Sequence, residues 1–226
     1  VRETPYMISD NIGIQEYYRD NFGKDSYFLP YGADPVINFD ETHLTPYSIQ
    51  PRSYLMLVAR LEPENNIETI LDGYVASDSQ LPFLVVGNHK TKYGMYLQEK
   101  YRDQRIRFVG GIYQKPVLDS IRHFSAAYFH GHSVGGTYPS LLEAMACACF
   151  IIGHDNPFNR KVLYDAALSF KDPVQVTKLV NQLTLLREKH ETDFISAHRE
   201  RIRTEYNWDR VVTQHEDLFR ELLAKQ

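Results

Sequence analysis

Short apolar runs alternate with amphipathic stretches along the middle of this 226-residue chain. The apolar runs predict strands at 54–59, 83–86, 106–109, 126–129 and 149–152. The amphipathic stretches predict helices at 64–76, 93–102, 115–124, 139–146 and 159–164. Because runs that are apolar throughout suit strands buried on both faces, the pattern indicates a parallel sheet with helices on either side. The sequence therefore predicts an α/β fold with a doubly wound parallel sheet.

The two flanks of this series have a different pattern. The first flank predicts a strand at 6–9, a helix at 10–22, a strand at 27–29 and a turn cluster at 30–35. The polar segment from there to Pro51 is predicted to be a linker or a covering loop. After Phe170 the pattern is helical to the end, with amphipathic runs at 173–189 and 209–223. The opening resembles the tail of a preceding domain, and a start without methionine suggests further sequence upstream.

Composition excludes several classes of function. A formal net charge of -4 and a pI of about 6.1 provide no basic field for nucleic acid. No run of about 20 apolar residues predicts a membrane-spanning helix. Cys147 and Cys149 are too close in sequence for an unstrained disulfide and too few for a closed zinc site. We therefore expect reduced thiols in a reducing compartment, which predicts a cytoplasmic location.

Two adjacent glycines, Gly135 and Gly136, follow the fourth predicted strand of the series. They allow a tight turn, and Pro139 suits the first turn of the helix that comes next. Thr137 or Ser140 is predicted to cap that helix. Free amides and the positive end of the helix dipole would converge there, so the turn predicts a phosphate site.

Glu143 lies about one turn inside the same predicted helix. Its carboxylate would repel a bare phosphate, but it can accept hydrogen bonds from the hydroxyls of an adjacent sugar. The segment therefore predicts a phosphorylated ligand with a polyol attached. The alternative is an ordinary turn of an α/β fold that binds nothing.

Arg60 closes the first strand of the predicted sheet, where ligands of such folds gather. Its planar fork of donors suits a diphosphate. The alternative is a surface salt bridge with Glu62 or Glu64, which would contribute under about 1 kcal/mol.

Two histidines, His130 and His132, flank Gly131 after the fourth strand. Either could contact a sugar hydroxyl or steady a departing phosphate, and the alternative is a strand-end histidine bonded to the backbone. A metal pair is not expected, because no carboxylate or further histidine accompanies them nearby in the sequence. The turn at 110–113 could accommodate a nucleobase against exposed backbone.

Several familiar catalytic signatures are absent from the sequence. It has no Walker lysine motif, no HExxH, no CxxC pair and no Ser-His-Asp order. No GxGxxG follows a predicted strand, so a dinucleotide-dependent oxidoreductase is a poor alternative.

Taken in order, the segments at 58–66, 85–87, 108–110 and 135–146 resemble the donor-binding half of glycosyltransferase family 4. These are retaining enzymes in which two Rossmann-like domains face each other, the GT-B architecture. The sequence Tyr-Asn-Trp-Asp at 206–209 resembles the closing tryptophan motif of the family. Pro-Tyr-Gly-Ala-Asp at 30–34 resembles its interdomain linker. The resemblance covers nearly the whole chain.

Two positions depart from the family pattern. The family usually has two glutamates separated by seven residues, and Glu143 matches the second while Gly135 stands at the first. Asn65 replaces the usual lysine after the arginine motif. These variants resemble the bacterial rhamnosyltransferase branch, which uses a deoxythymidine-diphosphate rhamnose donor. The joint loss of a carboxylate and a cation leaves the local charge balance unchanged, and we expect it to suit a 6-deoxy sugar.

The resemblance also implies roles for individual residues. Arg60, His130 and Glu143 would be catalytic, with Arg60 and the amides of 136–140 holding the diphosphate and Glu143 bonding the nucleotide's sugar. The implied donor-binding residues are Arg60, Asn65, Gly87, Gly111, Ile112, His132, Gly135, Gly136, Thr137, Tyr138, Ser140 and Glu143. No cofactor and no metal are implied, since a dTDP- or UDP-linked sugar is the substrate.

By the same resemblance, residues 1–36 are the end of an acceptor domain, 37–205 the donor domain and 206–226 a crossover helix. The expected activity is transfer of a sugar, with retention, to a polysaccharide or a lipid-linked oligosaccharide. A glycan or glycolipid acceptor is the expected partner, and the rest of the acceptor domain could contact the inner face of the plasma membrane. A binding module that has lost catalysis is the alternative.

Overall fold

The computed structural model describes residues 6–224, so positions 1–5 and 225–226 of the predicted first and last regions lie outside the described residues. Its strands are β1 Ile8–Ser9, β2 Tyr27–Phe28, β3 Leu55–Val58, β4 Phe83–Val86, β5 Ile106–Gly110, β6 Ala127–His130, β7 Ile151–His154 and β8 Leu168–Phe170. Its α-helices are α1 Ile12–Phe22, α2 Ile67–Val75, α3 Lys92–Lys100, α4 Lys115–His123, α5 Pro139–Ala146, α6 Pro157–Leu163, α7 Pro173–Asn181, α8 Leu183–Thr204 and α9 Trp208–Ala224. Short 3-10 helices cover Glu41–Tyr47 and Pro63–Asn65.

Six strands form one sheet in the order β5-β4-β3-β6-β7-β8, and each neighbouring pair is parallel. A helix joins each strand of this sheet to the next along the chain, as parallel pairing requires. The strand order reverses at β3, which has β4 on one side and β6 on the other. The predicted α/β fold with a doubly wound parallel sheet is confirmed.

Side chains of the sheet are buried on both faces, which explains why its strands are apolar throughout. In β3, Leu55 and Leu57 lie in one core cluster, and Met56 lies in the other. Helices α2, α3 and α7 cover the first face, while α4, α5 and α6 cover the second. Because each such side chain contributes about 1.5–3 kcal/mol when buried, this alternation fixes the position of every strand between the two helical layers.

The helices begin and end at residues whose chemistry suits those positions. Asn11 caps α1 by accepting a hydrogen bond from the Gly13 amide at 2.8 Å. Asp172 caps α7 through the Gln175 amide at 2.8 Å, directly before Pro173. These local signals agree with the tertiary arrangement.

One predicted helix, 64–76, is interrupted near its start. Pro63–Asn65 forms a 3-10 turn, Asn66 adopts a left-handed conformation with φ 50°, and α2 begins only at Ile67. The side chain of Asn66 donates to the Gly131 carbonyl at 2.8 Å and to the Ser133 hydroxyl at 2.9 Å. A tertiary contact across the sheet therefore overrides the helical pattern.

The end of the chain differs from prediction in two further places. The helix predicted at 173–189 breaks at Gln182, so that α7 and the 22-residue α8 are separate helices. Strand β8 was not predicted; it has three residues and pairs only with β7 at the edge of the sheet. Such a short edge strand carries little periodic signal.

The amino-terminal segment and the last helix lie together. β1 and β2 form a separate parallel pair, in which Ile8 is opposite Tyr27. The Ala33 amide donates to the Tyr206 carbonyl at 2.7 Å, and a side chain at Gly32 would overlap the indole of Trp208. Helix α9 thus returns to the region where the chain began.

The segment predicted as a linker or covering loop covers α4. The Asp40 amide donates to the Ser120 hydroxyl at 3.1 Å, and Phe39 stacks on His123 with ring centroids 3.7 Å apart. Both cysteines are buried and free. Among residues 6–224, no helix has the length and apolarity needed to cross a membrane.

Candidate functional site

The topology places two loops next to each other at the carboxyl ends of adjacent strands. The first loop follows β3 and carries Arg60, and the second follows β6 and runs from Gly131 to α5. Because strand order reverses between β3 and β6, the chain diverges there and leaves a crevice.

Two adjoining cavities occupy this crevice. The Tyr113 cavity has a volume of about 350 Å³ and is lined by Val58, Ala59, Arg60, Leu61, Glu62, Val86, Gly87, Asn88, Thr91, Gly111, Ile112 and Tyr113. The Tyr138 cavity has a volume of about 540 Å³ and is lined by Val58, Ala59, Arg60, Glu64, Asn65, His132, Val134, Tyr138, Pro139 and Ser140. Both cavities are bordered by the last residue of β3, Val58, and by the next two residues, Ala59 and Arg60. Their combined volume is in the range that holds a drug-sized ligand.

Arg60 is exposed and forms no ion pair with any carboxylate of residues 6–224. The predicted alternative, a salt bridge to Glu62 or Glu64, is therefore not present. Its backbone carbonyl accepts a hydrogen bond from the Asn65 side-chain amide at 2.7 Å, and its guanidinium bonds no residue among 6–224. All five guanidinium donors remain free to bind an anion in either cavity.

The turn after β6 has the shape that the sequence predicts, but its helix cap is different. Gly135 has φ 109°, a conformation that favours glycine, and Pro139 lies in the first turn of α5. The N-cap residue is Tyr138, and no side chain caps the helix. The expectation that Thr137 or Ser140 is the cap is therefore wrong. The Thr137 hydroxyl instead donates to the Asp10 carbonyl at 2.6 Å.

In the first turn of α5, the Ser140 amide has no hydrogen-bond partner among residues 6–224. Pro139 has no N–H, and the Leu141 and Leu142 amides share the Tyr138 carbonyl at 3.0 and 3.3 Å. Ser140 borders the Tyr138 cavity at this position. An anion in the cavity would therefore meet the positive end of the helix dipole.

Glu143 borders a third cavity, which shares Pro139 with the Tyr138 cavity. This Trp208 cavity has a volume of about 130 Å³ and is lined by Tyr31, Gly32, Ala33, Asp34, Lys115, Pro139, Glu143, Ala146 and Trp208. Oε2 of Glu143 is 2.6 Å from Nη2 of Arg122, and the Glu143 side chain is 39% exposed. The carboxylate is thus fixed from behind and retains access to solvent.

Arg122 belongs to a chain of alternating charges that runs beneath the site. Its side chain is 2% exposed, and its Nη1 lies 3.4 Å from Asp119 Oδ1. Oδ2 of Asp119 is 2.5 Å from Lys115 Nζ. Since a buried charge is tolerated only when it is paired, this network both neutralises Arg122 and orients Glu143.

The structure does not support a ligand contact for His130. Its side chain is 0% exposed, neither ring nitrogen has a hydrogen-bond partner in the described chain, and its ring stacks on His132 at 4.4 Å. Burial, followed by the charges of His132 and His154, holds its pKa well below the usual range. The ring is therefore a neutral buried group, and none of its contacts supports the catalytic role that the resemblance implies.

His132, in contrast, borders the Tyr138 cavity. Burial and then the positive charge of Arg60 lower its pKa to about 4. At neutral pH the ring is uncharged, so it can exchange a hydrogen bond with a ligand but offers no charge to a phosphate.

The remaining predicted residues fall on the two cavity walls. Gly87, Gly111 and Ile112 border the Tyr113 cavity, where Gly87 is packed so closely that a Cβ would overlap the Ala59 carbonyl. Asn65 borders the Tyr138 cavity, with its side-chain amide on Arg60. The structure thus brings both walls together around the end of β3.

Sequence reasoning missed the network of Lys115, Asp119 and Arg122. Lys115 and Asp119 are four residues apart along α4, and Asp119 and Arg122 are three apart, which are spacings typical of solvated ion pairs on a helix surface. The contact to Glu143 on another helix has no local signature. Among residues 6–224, no group of three or more metal-ligating side chains lies close enough to hold a metal ion.

Comparison with known families gives one match. The profile of the family described as "Glycosyl transferases group 1" matches residues 46–203, well over half of the chain. No curated protein sequence matches this chain.

Several solved structures are similar in fold. HepE from Anabaena, solved with UDP and glucose, superposes with a TM-score of 0.81 at 14% identity, covering 99% of this chain and 64% of HepE. Sucrose-phosphate synthase from Thermosynechococcus elongatus gives 0.79 at 19% identity, covering 97% of this chain and 58% of that enzyme. A glycosyltransferase from Rickettsia africae gives 0.78 at 9% identity, with coverage of 98% and 64%. The chain therefore spans less than two thirds of each structure, and the likeness shows the fold alone.

Proposed function

Because this chain belongs to the family of group 1 glycosyl transferases, we propose that it is the donor-binding part of an enzyme that transfers a sugar from a nucleotide diphosphate. The observation that carries this proposal is the pair of cavities that meet at Arg60. One cavity is bordered by exposed backbone at 111–113, and the other by the first turn of α5. A nucleotide-sugar needs such sites next to each other, because its base, diphosphate and sugar are covalently joined.

In this proposal each part of the donor meets chemistry that suits it. The base lies in the Tyr113 cavity, and the diphosphate lies between Arg60 and the Ser140 amide in the first turn of α5. Glu143 bonds a hydroxyl of the ribose. As the bond between sugar and phosphate breaks, Arg60 and the helix dipole stabilise the negative charge on the leaving diphosphate. No metal ion is needed for that stabilisation.

The donor is proposed to be dTDP-rhamnose, and the reaction to proceed with retention. The resemblance of the segments at 59–66 and 132–143 to the rhamnosyltransferase branch supports this choice. HepE was solved with UDP and glucose, so a UDP-sugar is the competing donor. The two differ in the base methyl, the ribose 2′-hydroxyl and the sugar.

The acceptor is proposed to be a glycan or glycolipid, delivered by a second domain. We assign residues 1–36 to the end of that domain, 37–205 to the donor domain and 206–226 to a crossover helix between them. Two contacts support this division: β1 pairs with β2, and the Tyr27 hydroxyl of β2 donates to Glu221 of α9 at 3.2 Å. Closure of the two domains would exclude water from the donor. A location in the cytoplasm, with contact to the inner face of the plasma membrane, belongs to the same proposal.

The first test is calorimetric titration of the chain with dTDP, UDP and GDP. Preference for dTDP supports the rhamnosyl donor, while preference for UDP or GDP keeps the transferase and discards dTDP-rhamnose. The same titrations on Arg60→Ala are expected to show much weaker binding of every diphosphate. Nucleotide binding that is unaffected by Arg60→Ala would contradict the proposed phosphate site.

A second candidate is a binding module that has lost catalysis. Two observations favour it: Gly135 offers no carboxylate to the turn, and His130 is buried away from both cavities. Assay of the protein together with its acceptor domain, using donor and a glycolipid acceptor, separates the two. Donor binding without turnover would favour the module.

A further inference from the structure

Asp10, between β1 and α1, places its carboxylate against Gly136. A Cβ at position 136 would overlap both carboxylate oxygens of Asp10, so this contact requires glycine there. The backbone amide of Thr137 also bonds the carboxylate. A charged group from the amino-terminal segment therefore lies on the turn that precedes α5.

The backbone around Asp10 is held firmly in this position. The Thr137 hydroxyl donates to the Asp10 carbonyl at 2.6 Å. Nδ2 of Asn11 donates to the same hydroxyl oxygen and to the Phe158 carbonyl, each at 3.3 Å. Asn11 and Thr137 are both buried. The hydrogen bonds of Thr137 and Asn11 therefore fix the backbone that carries the Asp10 carboxylate.

The Asp10 carboxylate has no cationic partner among residues 6–224. Burial raises its pKa, although the Asp10 and Thr137 amides act in the opposite direction. A carboxylate offers about four acceptor sites, so amide bonds leave some of them open. Such a half-buried, incompletely bonded acceptor gains most from a ligand that brings hydroxyl donors.

The surroundings of Asp10 indicate which part of a donor would lie there. Burial and then the charge of Asp10 raise the pKa of Tyr138 to about 12, and Tyr138 borders the Tyr138 cavity. A phosphate beside Asp10 would be repelled, whereas a sugar hydroxyl would donate to it. Gly135 and Gly136 contribute no side-chain acceptor to this turn.

We propose that Asp10 binds the donor sugar by accepting a hydrogen bond from one of its hydroxyl groups. The inference rests on the proposed function, because it requires a nucleotide-sugar in the crevice. It assigns the amino-terminal segment a share in donor selectivity. A sugar that lacks the matching hydroxyl leaves the carboxylate without its donor and binds less tightly.

The test separates sugar binding from nucleotide binding. The affinities of UDP and UDP-glucose, and of dTDP and dTDP-rhamnose, are measured for the wild-type chain and for Asp10→Asn. In Asp10→Asn the sugar-linked donor is expected to bind about tenfold more weakly, with the affinity of the matching free diphosphate unchanged. Asp20→Asn, an exposed aspartate of α1 paired with Arg19, is the matched control and leaves all four affinities unchanged.

A second variant reaches the same contact from the other side. Gly136→Ala displaces the Asp10 carboxylate without removing it, and it is expected to reproduce the selective loss of sugar affinity. Equal weakening of diphosphate and sugar-linked donor in Asp10→Asn would show a structural role only and overturn the proposal, as would unchanged binding of all four. If the wild-type chain binds none of the four nucleotides, the proposed function itself is overturned, and the role of Asp10 with it.

Discussion

Arg60 and Arg122 differ in almost every respect that determines what an arginine does. Arg60 lies in the loop after β3, is exposed and pairs with no described carboxylate, whereas Arg122 lies within α4, is 2% exposed and contacts two carboxylates. The first borders both the Tyr113 and Tyr138 cavities. Of the two carboxylates that Arg122 contacts, Glu143 is the more exposed, with 39% of its side chain accessible. One region of the molecule therefore keeps a free cation, and the other keeps a fixed carboxylate.

The cost of removing a charge from water explains this division. A buried guanidinium must be paired, and the two terminal nitrogens of Arg122 are engaged by Asp119 and Glu143, so they are not available to a ligand. Arg60 remains hydrated and keeps its donors for an incoming anion, at the cost of ordering its side chain on binding. Arg122 should therefore matter first for stability, and Arg60 first for binding.

Replacing Arg122 gives the largest expected effect. Arg122→Met leaves Glu143 and Asp119 without their shared cation, and we expect the free energy of unfolding to fall by about 3 kcal/mol. Chemical denaturation measures it. Arg203→Met, which breaks an exposed pair with Glu200, is the control and should change stability by less than about 0.5 kcal/mol. A variant as stable as the wild type would show that the network serves no structural purpose.

Replacing Arg60 should have the opposite effect: nucleotide affinity should fall while stability stays nearly unchanged. Arg60→Ala loses one or two charge-assisted bonds to a diphosphate, so the affinity for the preferred nucleotide should fall about 10- to 100-fold. The free energy of unfolding should stay within about 0.5 kcal/mol of the wild-type value. Titration calorimetry measures the first quantity. Arg102→Ala, which breaks an exposed pair with Glu99, is the matched control and should leave affinity intact.

Acid should destabilise the protein through the buried histidines near Arg60. His130 and His132 lie on the Arg60 side, and burial lowers the pKa of each below 6.5, to about 4 for His132. Between pH 6.5 and about 4 the unfolded chain therefore binds more protons than the folded one. The free energy of unfolding should fall as pH is lowered through this window, by up to about 1.4 kcal/mol per pH unit for each histidine.

His130→Leu isolates one of these contributions. Leucine fills the buried site without a titrating group, so the pH slope should become shallower by up to about 1.4 kcal/mol per pH unit. Urea unfolding at pH 7, 6 and 5 measures the slope. An identical slope in variant and wild type would mean that His130 is accessible to protons in the folded state.

The order of strands and helices could be predicted from the sequence because it depends on local and periodic properties. Strands buried on both faces are apolar throughout, and the order of strands and helices selects a doubly wound sheet. The glycine turn and Pro139 likewise act locally, and both were predicted correctly. The bend at Asn66 was not, because its partners Gly131 and Ser133 lie about 65 residues further along the chain.

The same distinction applies within the candidate site. Arg60 could be found because a polar residue at the end of a parallel strand faces the crevice. His130 looked equivalent in sequence, but it is the last residue of β6 and its side chain points into the core. The pairing of Arg122 with Glu143 and the contact of Asp10 with Gly136 join distant elements. By residue type alone, Arg122, Glu143 and Asp10 are predicted to be solvated charges.

The smallest expected effect concerns Glu143, where the two regions would act on one ligand. Glu143→Gln keeps an oxygen that can accept from Arg122, so stability should change by less than about 1 kcal/mol. Binding should lose the charge that Glu143 offers to the ribose.

The measurement compares the preferred nucleotide with its 3′-deoxy analogue. The wild-type chain should favour the 3′-hydroxyl form, and Glu143→Gln should reduce that preference about fivefold, since a neutral acceptor bonds a hydroxyl more weakly than a charged one. Arg60→Ala should weaken both nucleotides equally and leave their ratio unchanged. If Arg60→Ala altered the ratio and Glu143→Gln did not, the free cation and the fixed carboxylate would have exchanged roles, because the ribose would then lie against Arg60.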